Sequence, residues 1–157
     1  MIIIRQKLYS FKSESIDLID LGDNLSLVKT KPTIISKILG KLSKRIREQQ
    51  GLCVIYDIML SSKNIGYIML NKESSEEINI PWFFVDSNYQ NNGYGTKALM
   101  AIIKYMRKLG YKWLTLEVPV ENKQAQHIYE KLGFKYTGEI IKYHDEDSLK
   151  LMKLKLK

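Results

Sequence analysis

The residues best suited to chemistry lie in the string Val85-Asp86-Ser87-Asn88-Tyr89-Gln90-Asn91-Asn92-Gly93-Tyr94-Gly95-Thr96. An apolar run ends there, a polar loop turns, and a helical pattern begins with two glycines in its first turn. The first amides of a helix have no internal acceptor and sit at the positive end of its dipole. Glycines at that place remove side chains that would block an anion, so the backbone can close on a phosphate. Asn91 and Asn92 tolerate the left-handed conformations such a loop often needs. A plain helix start, with glycines for tight packing, satisfies the same pattern. The residue types alone leave both readings open.

Other phosphate loops fit less well. A Walker A loop needs GxxxxGK[ST], and the chain has none. The dinucleotide fingerprint GxGxxG/A is formally matched by Gly93-Tyr94-Gly95-Thr96-Lys97-Ala98, with Glu117 near the expected distance beyond. That fingerprint places its glycines directly after a strand, whereas seven residues separate Val85 from Gly93, and 62 residues follow Gly95. A dinucleotide-binding protein therefore ranks below a simpler phosphate site. Cys53, the single cysteine, sits in the apolar run Leu52-Cys53-Val54-Ile55-Tyr56 and reads as a core thiol, with no disulfide to form. His127 reads as an exposed helix residue. His144-Asp145-Glu146-Asp147 reads as a hairpin turn, and no metal site is expected.

These residues need elements to hold them. Residues 2–8 read as a strand, and 9–32 are weakly patterned. Over 33–49, Ile34, Ile35, Ile38, Leu39, Leu42 and Ile46 recur at helical spacing between Pro32 and Gly51. Strands are expected over 52–60 and 65–71, joined by Ser61-Ser62-Lys63-Asn64, and over 76–85. Pro81 falls inside the last of these; proline removes a ladder donor, so it implies a bulge or a parting from one neighbour. A helix over 94–109 carries the stripe Leu99, Ile102, Ile103 and Met106, with Gly110 as its stop. A strand over 113–118 follows, then a short helix capped by Asn122 and ended by Gly133. Strands near 134–143 and 149–155 complete a mixed α/β domain spanning residues 1–157.

Composition fits one globular domain: 157 residues, 45% hydrophobic and 10% aromatic. No stretch approaches the ~20 apolar residues that span a bilayer, and the start is charged too early for a secretory signal. A cytoplasmic protein without membrane contact is expected. Net charge is +8 and the pI about 9.4, with basic clusters over 41–47, 104–112 and 150–157. Such a surface favours polyanions, admitting RNA, the ribosome or a phosphorylated cofactor, although simple solubility explains it equally well.

Read as [Gln/Arg]-x-x-Gly-x-[Gly/Ala], Gln90-Asn91-Asn92-Gly93-Tyr94-Gly95 resembles the acetyl-CoA pyrophosphate loop of the GNAT (GCN5-related) N-acetyltransferases. Asn122-Lys123-Gln124-Ala125-Gln126-His127-Ile128-Tyr129-Glu130-Lys131-Leu132-Gly133-Phe134 resembles that family's N-x-x-A-x-x-x-Y-x-x-x-G-F segment. The resemblance covers about residues 50–155. It implies a single mixed, mostly antiparallel sheet with a bulged, splayed central strand and helices on both faces. It implies acetyl-CoA as co-substrate and a primary amine as acceptor, attacking the thioester directly. The amides of Asn91, Asn92, Gly93, Tyr94, Gly95 and Thr96 would hold the pyrophosphate, with Gln90 opening the loop. Backbone groups of Phe84 and Val85 would pair with the pantetheine arm, and the Val85 amide would polarise the thioester carbonyl. Asn122 would contact the cofactor or orient the loop, and Tyr129 would protonate the departing thiolate.

The chemistry asks for such parts. An alkyl amine has a pKa near about 10, so a base or water chain must take its proton. Attack builds negative charge on oxygen, which a fixed amide stabilises. Glu117 is the first candidate base, because its spacing to Asn122 and Tyr129 resembles ribosomal-protein alanine acetyltransferases. A solvated strand glutamate explains Glu117 as well, and Glu76, Glu77 or water stand as alternatives. Segment 133–139 is also similar to small-molecule and polyamine acetyltransferases, for which Glu73, Glu76, Glu77 and Asp86 are the acidic candidates; the basic remainder favours a protein N-terminus, an RNA-bound acceptor or an acidic molecule. A monomer or homodimer is expected. A non-catalytic module binding CoA or RNA through the same loop is the reading of a different class.

Overall fold

The computed structural model describes residues 18–29, 53–142 and 148–157. Among these residues, β-branched and aromatic runs build one sheet of eight strands. They are β1 (Leu18–Gly22), β2 (Leu25–Lys29), β3 (Cys53–Leu60), β4 (Lys63–Lys72), β5 (Glu77–Val85), β6 (Trp113–Pro119), β7 (Lys135–Lys142) and β8 (Ser148–Lys155). Their order across the sheet is β1-β2-β3-β4-β5-β6-β8-β7. Every pairing is antiparallel except β5 with β6, which are joined by the helix α1 (Tyr94–Lys108). A second helix, α2 (Lys123–Lys131), links β6 to β7.

One apolar cluster explains the layering. Ile78 and Ile80 of β5, Leu114, Leu116 and Val118 of β6, and Met152 and Leu154 of β8 alternate onto one face. The predicted α1 stripe, Leu99, Ile102, Ile103 and Met106, packs on them, joined by Ala98 and Tyr105. Each such large side chain contributes about 1.5–3 kcal/mol by leaving water. Ala125 and Tyr129 of α2, with Leu132 at its end, pack on the same cluster, so both described α-helices share one face. Ile55 and Met69, paired across β3 and β4, are fully buried on the other. No described helix is long and apolar enough to cross a membrane.

The expected bulge sits at Pro81. From Met69 to Asn71 the chain of β4 advances two residues, while β5 takes three, from Trp82 to Asn79. The parallel ladder with β6 stops at Ile80↔Leu116. Beyond it, the Pro81–Val85 half of β5 pairs only with β4, and β6 runs on along β8. The sheet therefore opens a slot between β5 and β6, as the missing proline donor predicts.

Several boundaries differ from expectation. The weakly patterned stretch holds the hairpin β1–β2, turned by Asp23 and Asn24 at φ 53° and 60°. Two left-handed residues are what a tight two-residue turn demands, so Gly-Asp-Asn between apolar runs was a legible signal. The β3–β4 loop is Ser61-Ser62 alone, since Leu60 pairs with Lys63. The basic tail is no loose surface: β8 lies between β6 and β7 with Met152, Leu154 and Leu156 buried. The strand expected over 2–8, the helix over 33–49 (on which helices on both faces depended), the Cys53 side chain and the 144–147 turn fall outside the described residues.

Candidate active site

A cavity of about 250 Å³ opens where α1 begins, walled by the 85–96 loop on one side and α2 on the other. Its lining includes Val85, Gln90, Asn91, Gly93, Tyr94, Gly95 and Thr96, together with Asn122 and Tyr129 from α2. Nine of the residues singled out in the sequence thus meet in one place.

The loop is built by local hydrogen bonds. Asp86 caps the turn Ser87–Tyr89 by accepting from the Asn88 amide at 2.9 Å. The Gln90 side chain folds back, its Nε2 donating to the Val85 carbonyl at 2.8 Å. Asn91 and Gly93 take φ of 60° and 79°, which aims successive N–H groups into one concavity. The first bond closing α1 is Lys97 N–H to Gly93 O. No hydrogen bond among the described residues uses the amides of residues 91–96. A Cβ at Gly93 would meet nothing within 4 Å, so this glycine serves backbone conformation. A Cβ at Gly95 would come 3.3 Å from Phe83 and Val85 side chains, so that glycine lets α1 sit close on β5. The arrangement is an anion cradle at the positive end of a 15-residue helix.

The expected backbone pair shifts by one residue. The Asp86 N–H donates to Ile65 O at 2.8 Å, which makes Val85↔Gly66 a pair without mutual hydrogen bonds. Alternation then turns the N–H and C=O of Phe84 towards β4; a Cβ at Gly66 would strike the Phe84 oxygen. Phe84 is therefore not a slot-facing backbone, contrary to expectation. Phe83 and Val85 face the slot, and with Gln90 holding the Val85 carbonyl, the Val85 N–H is the donor presented there. The Phe84 side chain lies on the other sheet face.

From α2, the Asn122 side chain accepts from the Ala125 amide at 3.0 Å, the cap expected of it. Gln124 Nε2 donates to Asn91 Oδ1 at 2.9 Å, tying α2 to the loop across the cavity. Gln126, buried in α2, donates to the carbonyls of Pro119 and Val120 and accepts from Lys150 Nζ. It pins the end of β6 beneath the helix that carries Tyr129. The Tyr129 ring packs 5.9 Å from Phe134, and burial pushes its hydroxyl above the ordinary tyrosine pKa. It stays protonated at neutral pH, a proton donor on the cavity wall.

The sequence profile of the acetyltransferase (GNAT) family matches residues 28–134, more than half of the chain. The chain belongs to the GNAT acetyltransferase family. An uncharacterised N-acetyltransferase of Methanocaldococcus jannaschii is 33% identical over 94 residues, 56% of this chain and 40% of that protein. A spermine/spermidine N(1)-acetyltransferase of Bacillus subtilis is 36% identical over 59 residues, 37% of this chain and 39% of that one. The chain thus spans about 40% of the length of these relatives. In fold it is similar to the ribosomal-protein-S18-alanine N-acetyltransferase of Escherichia coli, with TM-score 0.70, 21% identity, and 84% and 94% of the two chains covered. A GNAT structure from Elizabethkingia anophelis with acetyl-CoA bound gives TM-score 0.68 and 20% identity over 85% and 99%. The mixed sheet with one parallel pair also removes the dinucleotide-binding alternative, which needs a doubly wound parallel sheet.

In this GNAT chain the acidic candidates separate. Glu117 lies on β6 between Leu116 and Val118 of the core, so it faces the sheet side opposite α2, immediately past the last β5–β6 pair. It stands at the fork of the slot, but not in the cavity. Glu76 is paired with Lys112, and Glu77 with Lys153 at 2.8 Å, both at the closed end of β5. Asp86 caps a turn at the opposite end of β5, about 30 Å from Glu77 at ~3.3 Å per residue, so it forms no cluster with Glu76 and Glu77. Asn92 binds the Gln90 carbonyl through its side chain and lies off the cavity lining. Tyr89, Gln124 and Ile128 line it without having been singled out; Gln124 and Ile128 are one helical turn apart, beside the Ala125–Tyr129 pair that also lines it.

Proposed function

We propose that this chain transfers an acetyl group from acetyl-CoA to a primary amine. The observation that carries the proposal is the unpaired amide cradle of residues 91–96 opening on the cavity whose far wall holds Tyr129. The residues fit a CoA thioester: amides for a diphosphate, a slot-facing strand edge at Phe83 and Val85 for an amide-bearing arm, and a protonated phenol at the far wall. Acetyl-CoA supplies the activated acyl group when bound. Val85 N–H then stabilises the charge that develops on the carbonyl oxygen. The new C–N bond forms as the C–S bond breaks, and the Tyr129 hydroxyl gives its proton to the thiolate. Glu117, at the fork, receives the proton shed by nitrogen; its place there favours it over Glu76 and Glu77, which stand at the closed end of β5.

Thermal shift with acetyl-CoA, CoA, NAD and RNA in parallel tests the cradle, and thiol release over a panel of amines and N-terminal peptides tests the transfer. Stabilisation by acetyl-CoA and amine-dependent thiol release are expected. Binding without turnover over the whole panel would reduce the chain to a CoA-binding module.

A further inference from the structure

The splayed half of β5 has two sides, and the proposed transfer uses only one. Phe83 and Val85 turn their side chains to the cavity. Trp82 and Phe84 turn theirs to the other face and remain 44% and 46% exposed. They are not loose. The Tyr67 and Phe84 rings stand 5.7 Å apart at 37°. Tyr67 pairs with Phe84, and Trp82 with Met69, so the three rings form one ledge along β4 and β5. A preorganised, half-exposed aromatic ledge contributes little to the core and suits recognition.

Its position assigns it a ligand. Acetyl-CoA approaches from the α1 side, so the second reactant must reach the slot through its other mouth, on the face of Trp82, Phe84 and Tyr67. Glu117 stands on that face at the fork, across the slot from Trp82. Ring faces carry negative potential and attract ammonium groups. The nearby cation Lys153 lies over Trp113 at 4.6 Å and is paired with Glu77. We infer that Tyr67, Trp82 and Phe84 form the acceptor subsite, holding the second ammonium of a diamine or longer polyamine while its other end enters the slot beside Glu117. The ring faces cover the intervening methylenes. The chemistry specified is an unbranched alkyl chain with two cationic ends, not a peptide.

The inference rests on the transferase reading, and the experiment separates the two. Initial rates of thiol release are compared for 1,4-diaminobutane, butylamine, phenethylamine and a peptide with a free N-terminus, using the whole chain. A diamine preference over butylamine of about tenfold in kcat/KM is expected from one cation–π contact. Trp82→Leu and, independently, Phe84→Leu should bring that ratio towards one, with stabilisation by acetyl-CoA confirming that each variant is folded. Equal rates for diamine and butylamine, preference for phenethylamine or the peptide, or a ratio retained in both variants would overturn the subsite alone. Loss of all acetyl-CoA binding in the unaltered chain would overturn the transferase reading and the subsite with it.

Discussion

In the proposed transfer, Tyr129 acts through one physical property, a proton held by burial. Tyr129→Phe removes the proton and keeps the ring against Phe134. Turnover should fall by about 100-fold, the usual scale of one acid catalyst, while a thermal shift with acetyl-CoA persists. The same raised pKa links to stability. The unfolded chain releases this proton near its ordinary value of about 10, whereas the folded chain holds it to higher pH. Folding stability from this group is therefore complete below about pH 10 and declines as pH rises beyond it. Urea midpoints taken on either side of that pH should drop less in Tyr129→Phe. Asn122 separates two roles in the same way. Asn122→Ala should cost about 1 kcal/mol through the lost cap and weaken acetyl-CoA binding; Asn122→Asp restores the cap, yet its charge beside a diphosphate should keep binding weak.

At the scale of elements, α2 and the 85–96 loop are held at a fixed separation by the Gln124–Asn91 bond. Both side chains are exposed, so Gln124→Ala should leave the urea midpoint nearly unchanged and raise the acetyl-CoA Kd several-fold, roughly one neutral hydrogen bond. A larger loss of stability would mean the bond supports the fold, not the site. The elements themselves were largely legible. The α1 stripe, its Gly110 stop, the Asn122 cap and the Pro81 bulge follow from short-range rules that the fold obeys. The hairpin β1–β2 was not read because its strands hold only five residues each, too short for alternation to stand out beside its turn. Gln126 was unreadable: a buried amide is tolerated only because two carbonyls and Lys150 converge on it, and two of those partners lie in other elements.

For the whole molecule, the charge of +8 acts as a long-range field on an anionic ligand. Raising salt from about 0.05 M to about 0.5 M should raise the acetyl-CoA Kd several-fold, chiefly through slower association. Two lysines of the C-terminal strand are engaged within the fold. Lys153 meets Glu77 and Trp113, and Lys150 meets Gln126 and the Tyr136 ring.

The amino-acid order by itself determined that a glycine-bearing loop opens a helix, that a proline breaks a central strand, and that an Asn-capped helix carries a tyrosine. Each of these depends on residues within a turn or two of one another. Tertiary structure alone decided that Phe83 and Val85, not Phe84, present backbone groups to the slot, because the phase of alternation is set by register with β4. It alone decided that Trp82 and Phe84 share a ledge with Tyr67. Those outcomes depend on pairings between strands distant in sequence, and no local pattern encodes which partner a strand will meet.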